Sequence, residues 1–143
     1  MALYVIGDTH FSEGCDKPMD VFGGAWTGYR DKLVESLSVL QPEDVLVLAG
    51  DFSWGMSLKE ALPDFRLLDS FPGKKLLIKG NHDYWWETVS KMKRFLRKMP
   101  SKPLIFCTIP VTFIKVWPFA AHEAGSMTKT TRPPEMTRSS SGS

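Results

Sequence analysis

The sequence predicts a mainly parallel α/β fold, and three observations carry that reading. Three short apolar, β-rich runs recur along the chain, each run ends in a polar cluster, and helical periodicity fills the segments between them. Runs this short and this apolar suit strands buried on both faces of a sheet. In such sheets ligands collect at the carboxyl ends of the strands.

The first run, Leu3–Gly7, leads into Asp8-Thr9-His10. A long connection over residues 12–28 comes next, holding Gly14, Gly23, Gly24 and Gly28, and reads as a rim loop or lid. Asp31–Leu40 then sets Leu33, Leu37 and Leu40 on one helical face. The second run, Val45–Ala49, ends in Gly50-Asp51. Leu58–Ser70 repeats apolar residues at Leu58, Ala61, Leu62, Phe65 and Leu68, with Pro63 weakening the helix near its start. The third run, Leu76–Lys79, ends in Gly80-Asn81-His82-Asp83. Tyr84–Met99 places Val89, Met92, Phe95, Leu96 and Met99 on one stripe. Val111–Trp117 reads as one more strand. From about Phe119 onward the chain is small, polar and broken by prolines, and reads as unfolded.

Composition narrows the class. The 143 residues are 43% apolar and 24% charged, enough for one globular domain. No apolar run spans a bilayer and no signal peptide opens the chain. Cys15 and Cys107 lack C-x-x-C spacing, so a reduced, cytoplasmic location is expected. Residues 1–106 hold 14 Lys/Arg and 14 Asp/Glu, so the net charge of +2 comes from the tail. That balance argues against a nucleic-acid partner. The basic face of the last helix (Lys91, Lys93, Arg94, Arg97 and Lys98) reads as solvated, with a nucleic-acid face as the alternative. Trp85 and Trp86 read as pocket rim or core; Trp26 and Trp54 stay open in the same way.

Each polar cluster alone is weak, since an Asp or Asn after a strand usually caps a turn. Together they mean more. Asp8, Asp51 and Asn81 lie 43 and 30 residues apart, each interval enough for one strand–helix unit. The sheet would then bring two carboxylates, an amide oxygen and the imidazoles of His10 and His82 to one cleft. This mixed O/N donor set suits Mn, Fe, Zn or Ni.

D-x-H, then G-D, then G-N-H-D, in this order at strand ends, resemble the first three motifs of the calcineurin-like metallophosphoesterases. The stretches Asp16–Gly23 and Gly80–Trp86 resemble a bacterial branch of predicted phosphohydrolases within that superfamily. The resemblance covers about residues 3–106 and implies an α/β sandwich, two sheets flanked by helices, of which this chain is the N-terminal part. It implies two divalent metal ions, with Asp8 and His10 on the first, Asp51 bridging both and Asn81 on the second. It places His82, supported by Asp83, beside the substrate as a general acid. The implied activity is hydrolysis of a phosphate-ester small molecule or a phosphorylated substrate.

The resemblance also implies two later histidine motifs, a lone His and a G-H-x-H. After His10 and His82 this sequence has only His122, which fits neither. Residues 107–143 accordingly read as a disordered tail outside the domain. Codon choice permits a neighbouring frame across that tail whose segment FCGTRGW resembles the stretch after the third motif in the same branch. A one-base slip near Phe106 is the preferred account, and a short diverged protein with its own tail is the alternative. The competing functional reading is a non-catalytic fragment that binds metal or phosphate weakly.

Overall fold

The computed structural model describes residues 1–97, 104–107 and 128–130. Five strands form one sheet: β1 (Leu3–Ile6), β2 (Val45–Ala49), β3 (Lys74–Ile78), β4 (Leu104–Cys107) and β5 (Thr128–Thr130), in the order β4-β3-β2-β1-β5. The first four are mutually parallel, with Leu3 opposite Val45, Val45 opposite Lys74 and Lys75 opposite Leu104. Three helices make the crossovers: α1 (Tyr29–Leu37), α2 (Leu58–Asp69) and α3 (Val89–Leu96). The mixed α/β class and its parallel sheet are as the sequence predicts. The described strands make up one sheet of the sandwich.

Burial corrects one expectation. The strands are not buried equally on both faces. Ile6, Leu46, Leu48 and Leu77 are almost wholly buried, whereas their alternating neighbours Val5, Val45, Val47 and Leu76 are half-buried. Since side chains alternate across a strand, the described residues fully cover one face alone. The same core takes Leu33 and Leu37 from α1, Ala61, Phe65 and Leu68 from α2, and Met92 and Leu96 from α3. All three helices therefore cover that face.

Element ends differ from expectation for local reasons. β3 begins at Lys74, two residues early, with Lys75 turned inward and only 2% exposed. α3 begins at Val89, not Tyr84, because the Thr88 hydroxyl caps it by accepting from the Lys91 N–H. Pro63 is tolerated in the second turn of α2, below a Ser57 cap that accepts from the Glu60 N–H. β4 is a strand that the hydropathy reading missed. Thr128–Thr130, inside the stretch that reads as unfolded, pairs antiparallel with β1. Val111–Trp117, Met99, His122 and the remainder of the tail lie outside the described residues.

Candidate metal centre

The two loops that leave β1 and β2 are laced together beyond the strands. The Asp8, His10 and Phe11 amides donate to the carbonyls of Gly50, Asp51 and Phe52 at 3.1, 3.0 and 2.9 Å, and the Trp54 amide donates back to Phe11. The Thr9 hydroxyl donates to the Phe52 carbonyl at 2.9 Å, and the Tyr29 hydroxyl to the His10 carbonyl at 2.6 Å. These bonds hold the polar clusters of the first two strands side by side.

Asp8, His10 and Asp51 have φ of 51°, 43° and 51°, the only positive values outside glycine among the described residues. Left-handed backbone costs a non-glycine residue about 1–2 kcal/mol. Three such residues at adjoining strand ends turn their side chains to one point. One donor atom from each of Asp8, His10 and Asp51 falls within 4.8 Å of the others. His10 Nε2 stands 3.8 Å from Asp8 Oδ1 and 3.8 Å from Asp51 Oδ2, too far for a hydrogen bond.

The third cluster closes in from β3. The His82 amide donates to Asp51 Oδ1, and His82 Nδ1 lies 2.9 Å from Asp51 Oδ2. The Asn81 carboxamide faces the same carboxylate with its oxygen; only with oxygen and nitrogen exchanged would the nitrogen lie 3.2 and 3.3 Å from the two carboxylate oxygens. The approach is so close that a Cβ on Gly80 would fall 2.2 Å from both Asp51 N and Oδ1, so only glycine fits there.

Among the described residues Asp83 makes no hydrogen bond or ion pair with the His82 ring, whose ion-pair partner is Asp51. The Asp83 carboxylate is 1% exposed and accepts from the amides of Gly80, Asp51 and Phe52 at 2.7, 2.9 and 2.8 Å and from Trp85 Nε1 at 3.0 Å. The expected support of His82 by Asp83 is thus indirect: Asp83 ties the third loop to the second. Trp85 is buried at 1% exposure and Trp86 packs on the core, which resolves that pair as packing. Trp54, open on sequence grounds, stacks its indole on the His10 ring at 4.7 Å and 19° and lies 5.3 Å from His82. An aromatic three residues beyond Asp51 is the only signal the sequence holds for it.

The electrostatics arise from this crowding. Burial raises the Asp8 carboxyl, a rise that His10 opposes and the neighbouring Asp51 reinforces. Burial also lowers His10, against the pull of Asp51 and Asp8. Burial would raise Asp51 too, but hydrogen bonds from the His82 side chain and amide outweigh it and hold Asp51 below its usual value. The buried His10 Nδ1 has no hydrogen-bond partner among the described residues.

A family model described as calcineurin-like phosphoesterase matches residues 1–135. The chain belongs to the calcineurin-like phosphoesterase family. A solved structure, a protein of unknown function, AQ665, from Aquifex aeolicus, is 29% identical to the chain with a TM-score of 0.49. That match covers 66% of this chain and 48% of the other, so the chain spans about half of that relative's length. No curated protein matches. The family implies divalent metal ions, and the donor set fits them. Two carboxylates and an imidazole converge at separations that leave room for a shared cation and are too long for hydrogen bonds with His10. Among the described residues no helix is long and apolar enough to cross a membrane.

Proposed function

We propose that this chain carries the first half of a dinuclear phosphoester-hydrolysing centre. The reading rests above all on the convergence of Asp8, His10 and Asp51 within 4.8 Å on strained strand-end backbone. Asp8 and His10 would hold one divalent cation, Asp51 would be shared with a second, and Asn81 would turn its carboxamide oxygen toward that second ion. Bound cations of the Mn, Fe, Zn or Ni class supply positive charge for the phosphoryl oxygens and activate water near neutral pH.

The chain's own residues do the rest. Asp51 is fixed by the two contacts from His82, and Asp83 fixes the loop that delivers them. His82 is half-exposed, its ring 6.0 Å from that of His10, so an ester seated on the donors would come within reach of it. We assign it proton donation to the leaving oxygen, with Asp83 as a positioning residue. The substrate is a phosphate-ester small molecule or a phosphorylated macromolecule, and the location cytoplasmic. The division of the chain near residue 106, and the reading-frame slip offered for it, belong to the same proposal. They are tested by the nucleotide sequence around the Phe106 codon.

The direct test is turnover of 4-nitrophenyl phosphate with Mn²⁺ added, in the chain and in Asp51→Asn. Slow hydrolysis that needs metal and is lost in the variant supports the proposal. Metal-independent hydrolysis, or hydrolysis untouched by the substitution, contradicts it.

A further inference from the structure

We propose that the ester has a flat aromatic group, and that a pocket between residues 16–22 and Trp54 receives it. This rests on the phosphoesterase reading above and deepens it. The pocket encloses about 350 Å³ and is lined by Asp16, Lys17, Pro18, Val21, Phe22 and Trp54. A volume at the lower end of the ligand-pocket range accommodates an aryl ring or a nucleobase.

Two features point to this occupant. Val21 and Phe22 are 74% and 68% exposed although they are large and apolar, so none of the described residues covers them. They sit on a 3-10 turn, Met19–Phe22, followed by Gly23 and Gly24 at φ 62° and 58°, with no atom of the described residues within 4 Å of where a Cβ would lie. Those glycines serve the bend that presents Phe22, not close packing. The second feature is Trp54. Its indole lines this pocket, stacks on His10 and is fixed by a contact from Nε1 to Met19 Sδ at 3.2 Å. Trp54 is therefore shared by the pocket and by the stack on His10, one of the metal donors. An ester with its phosphate on the donors would lay its organic group against Trp54 and Phe22, where a flat ring stacks better than a polyol or short alkyl chain. Lys17 and Asp16 border the pocket and can meet polar ring substituents.

The test uses phosphonates, which keep the head group but have no ester bond to break. Binding of phenylphosphonate, methylphosphonate and an adenosine 5′-phosphonate is followed by tryptophan fluorescence in the presence of Mn²⁺. Phenylphosphonate is expected to bind at least about tenfold tighter than methylphosphonate, from the apolar area the ring buries. Phe22→Ala, an exposed change safe for folding, should shrink that ratio to about threefold or less. The tighter of the phenyl and adenosyl compounds identifies the ring as aryl or nucleobase. Equal binding of phenyl- and methylphosphonate overturns the pocket and leaves the metal reading intact. If no phosphonate binds, the metal reading fails. The pocket is then judged by phenol shifting the Trp54 indole N–H resonance in EDTA: a saturable shift weakened in Phe22→Ala supports it, and no shift overturns it.

Discussion

His82 grips Asp51 at both oxygens, its amide at Oδ1 and its ring Nδ1 at Oδ2, each at 2.9 Å. Only the ring contact depends on the side chain. His82→Ala should therefore keep Asp51 oriented through the amide and retain bound metal, while turnover falls about 10²-fold with loss of the proposed proton donor. Metal content by elemental analysis, set against turnover, separates the two. A parallel fall in both would place His82 among the ligands and contradict its assignment as proton donor.

Asp83 predicts a stability effect in place of a chemical one. Its buried carboxylate answers three short amide bonds and the Trp85 indole. Asp83→Ala leaves those donors buried and unpaired, at about 1–3 kcal/mol each where water does not replace the carboxylate. A loss of at least about 3 kcal/mol in urea unfolding is expected. A small loss in stability with a large loss in turnover would return Asp83 to a direct partnership with His82.

Asp8 predicts the opposite trade. It is non-glycine at φ 51°, and its carboxylate stands beside that of Asp51. Asp8→Gly should relieve the backbone and stabilise the metal-free protein by about 1 kcal/mol, while weakening metal binding severely. Thermal unfolding in EDTA, paired with a Mn²⁺ titration, reads both. Destabilisation in EDTA would show that the aspartate is there for the fold.

How much of this is legible in the sequence depends on which signal each feature leaves. β2 is read to the residue because Val45–Ala49 is continuously apolar and ends at a Gly-Asp turn. β3 is misjudged at its start because hydropathy cannot foresee an inward lysine such as Lys75. β5, Thr-Lys-Thr, has no apolar signature, since its order comes from pairing with β1. At the site, the order of the three motifs reveals the ligand candidates and their strand ends. It does not reveal which carboxylate turns inward, so on sequence alone Asp83 reads as a partner of the His82 ring. Nor can it show that Trp54 folds back over His10, because that contact depends on the lacing of two loops distant in sequence.

Asp64 gives the pH dependence. It is fully buried, accepts from the Ser53 hydroxyl and the Glu13 amide, and burial pushes its carboxyl up to about 6. A carboxyl raised in the folded state holds its proton longer than in the unfolded chain, where it titrates near 3.8. Its contribution is thus full below about pH 4 and lost as pH rises through about 6. The loss is about 3 kcal/mol for a shift of this size. Asp64→Asn does not titrate, so urea unfolding at acid and neutral pH should show the variant gaining about that much on the parent. A constant difference across the range would mean that Asp64 ionises freely in the fold.

If Asp8, His10 and Asp51 hold a divalent cation, calorimetric titration of the chain with Mn²⁺ should detect it. Only that convergence gives three strained residues at adjoining strand ends a common purpose. Binding to the folded state must also raise its stability, so thermal unfolding should shift upward with Mn²⁺ and return with EDTA. The expected titration shows saturable, EDTA-reversible binding that disappears in Asp51→Ala. Absence of binding in the parent chain, or equal binding in Asp51→Ala, would show that the three residues are not metal ligands.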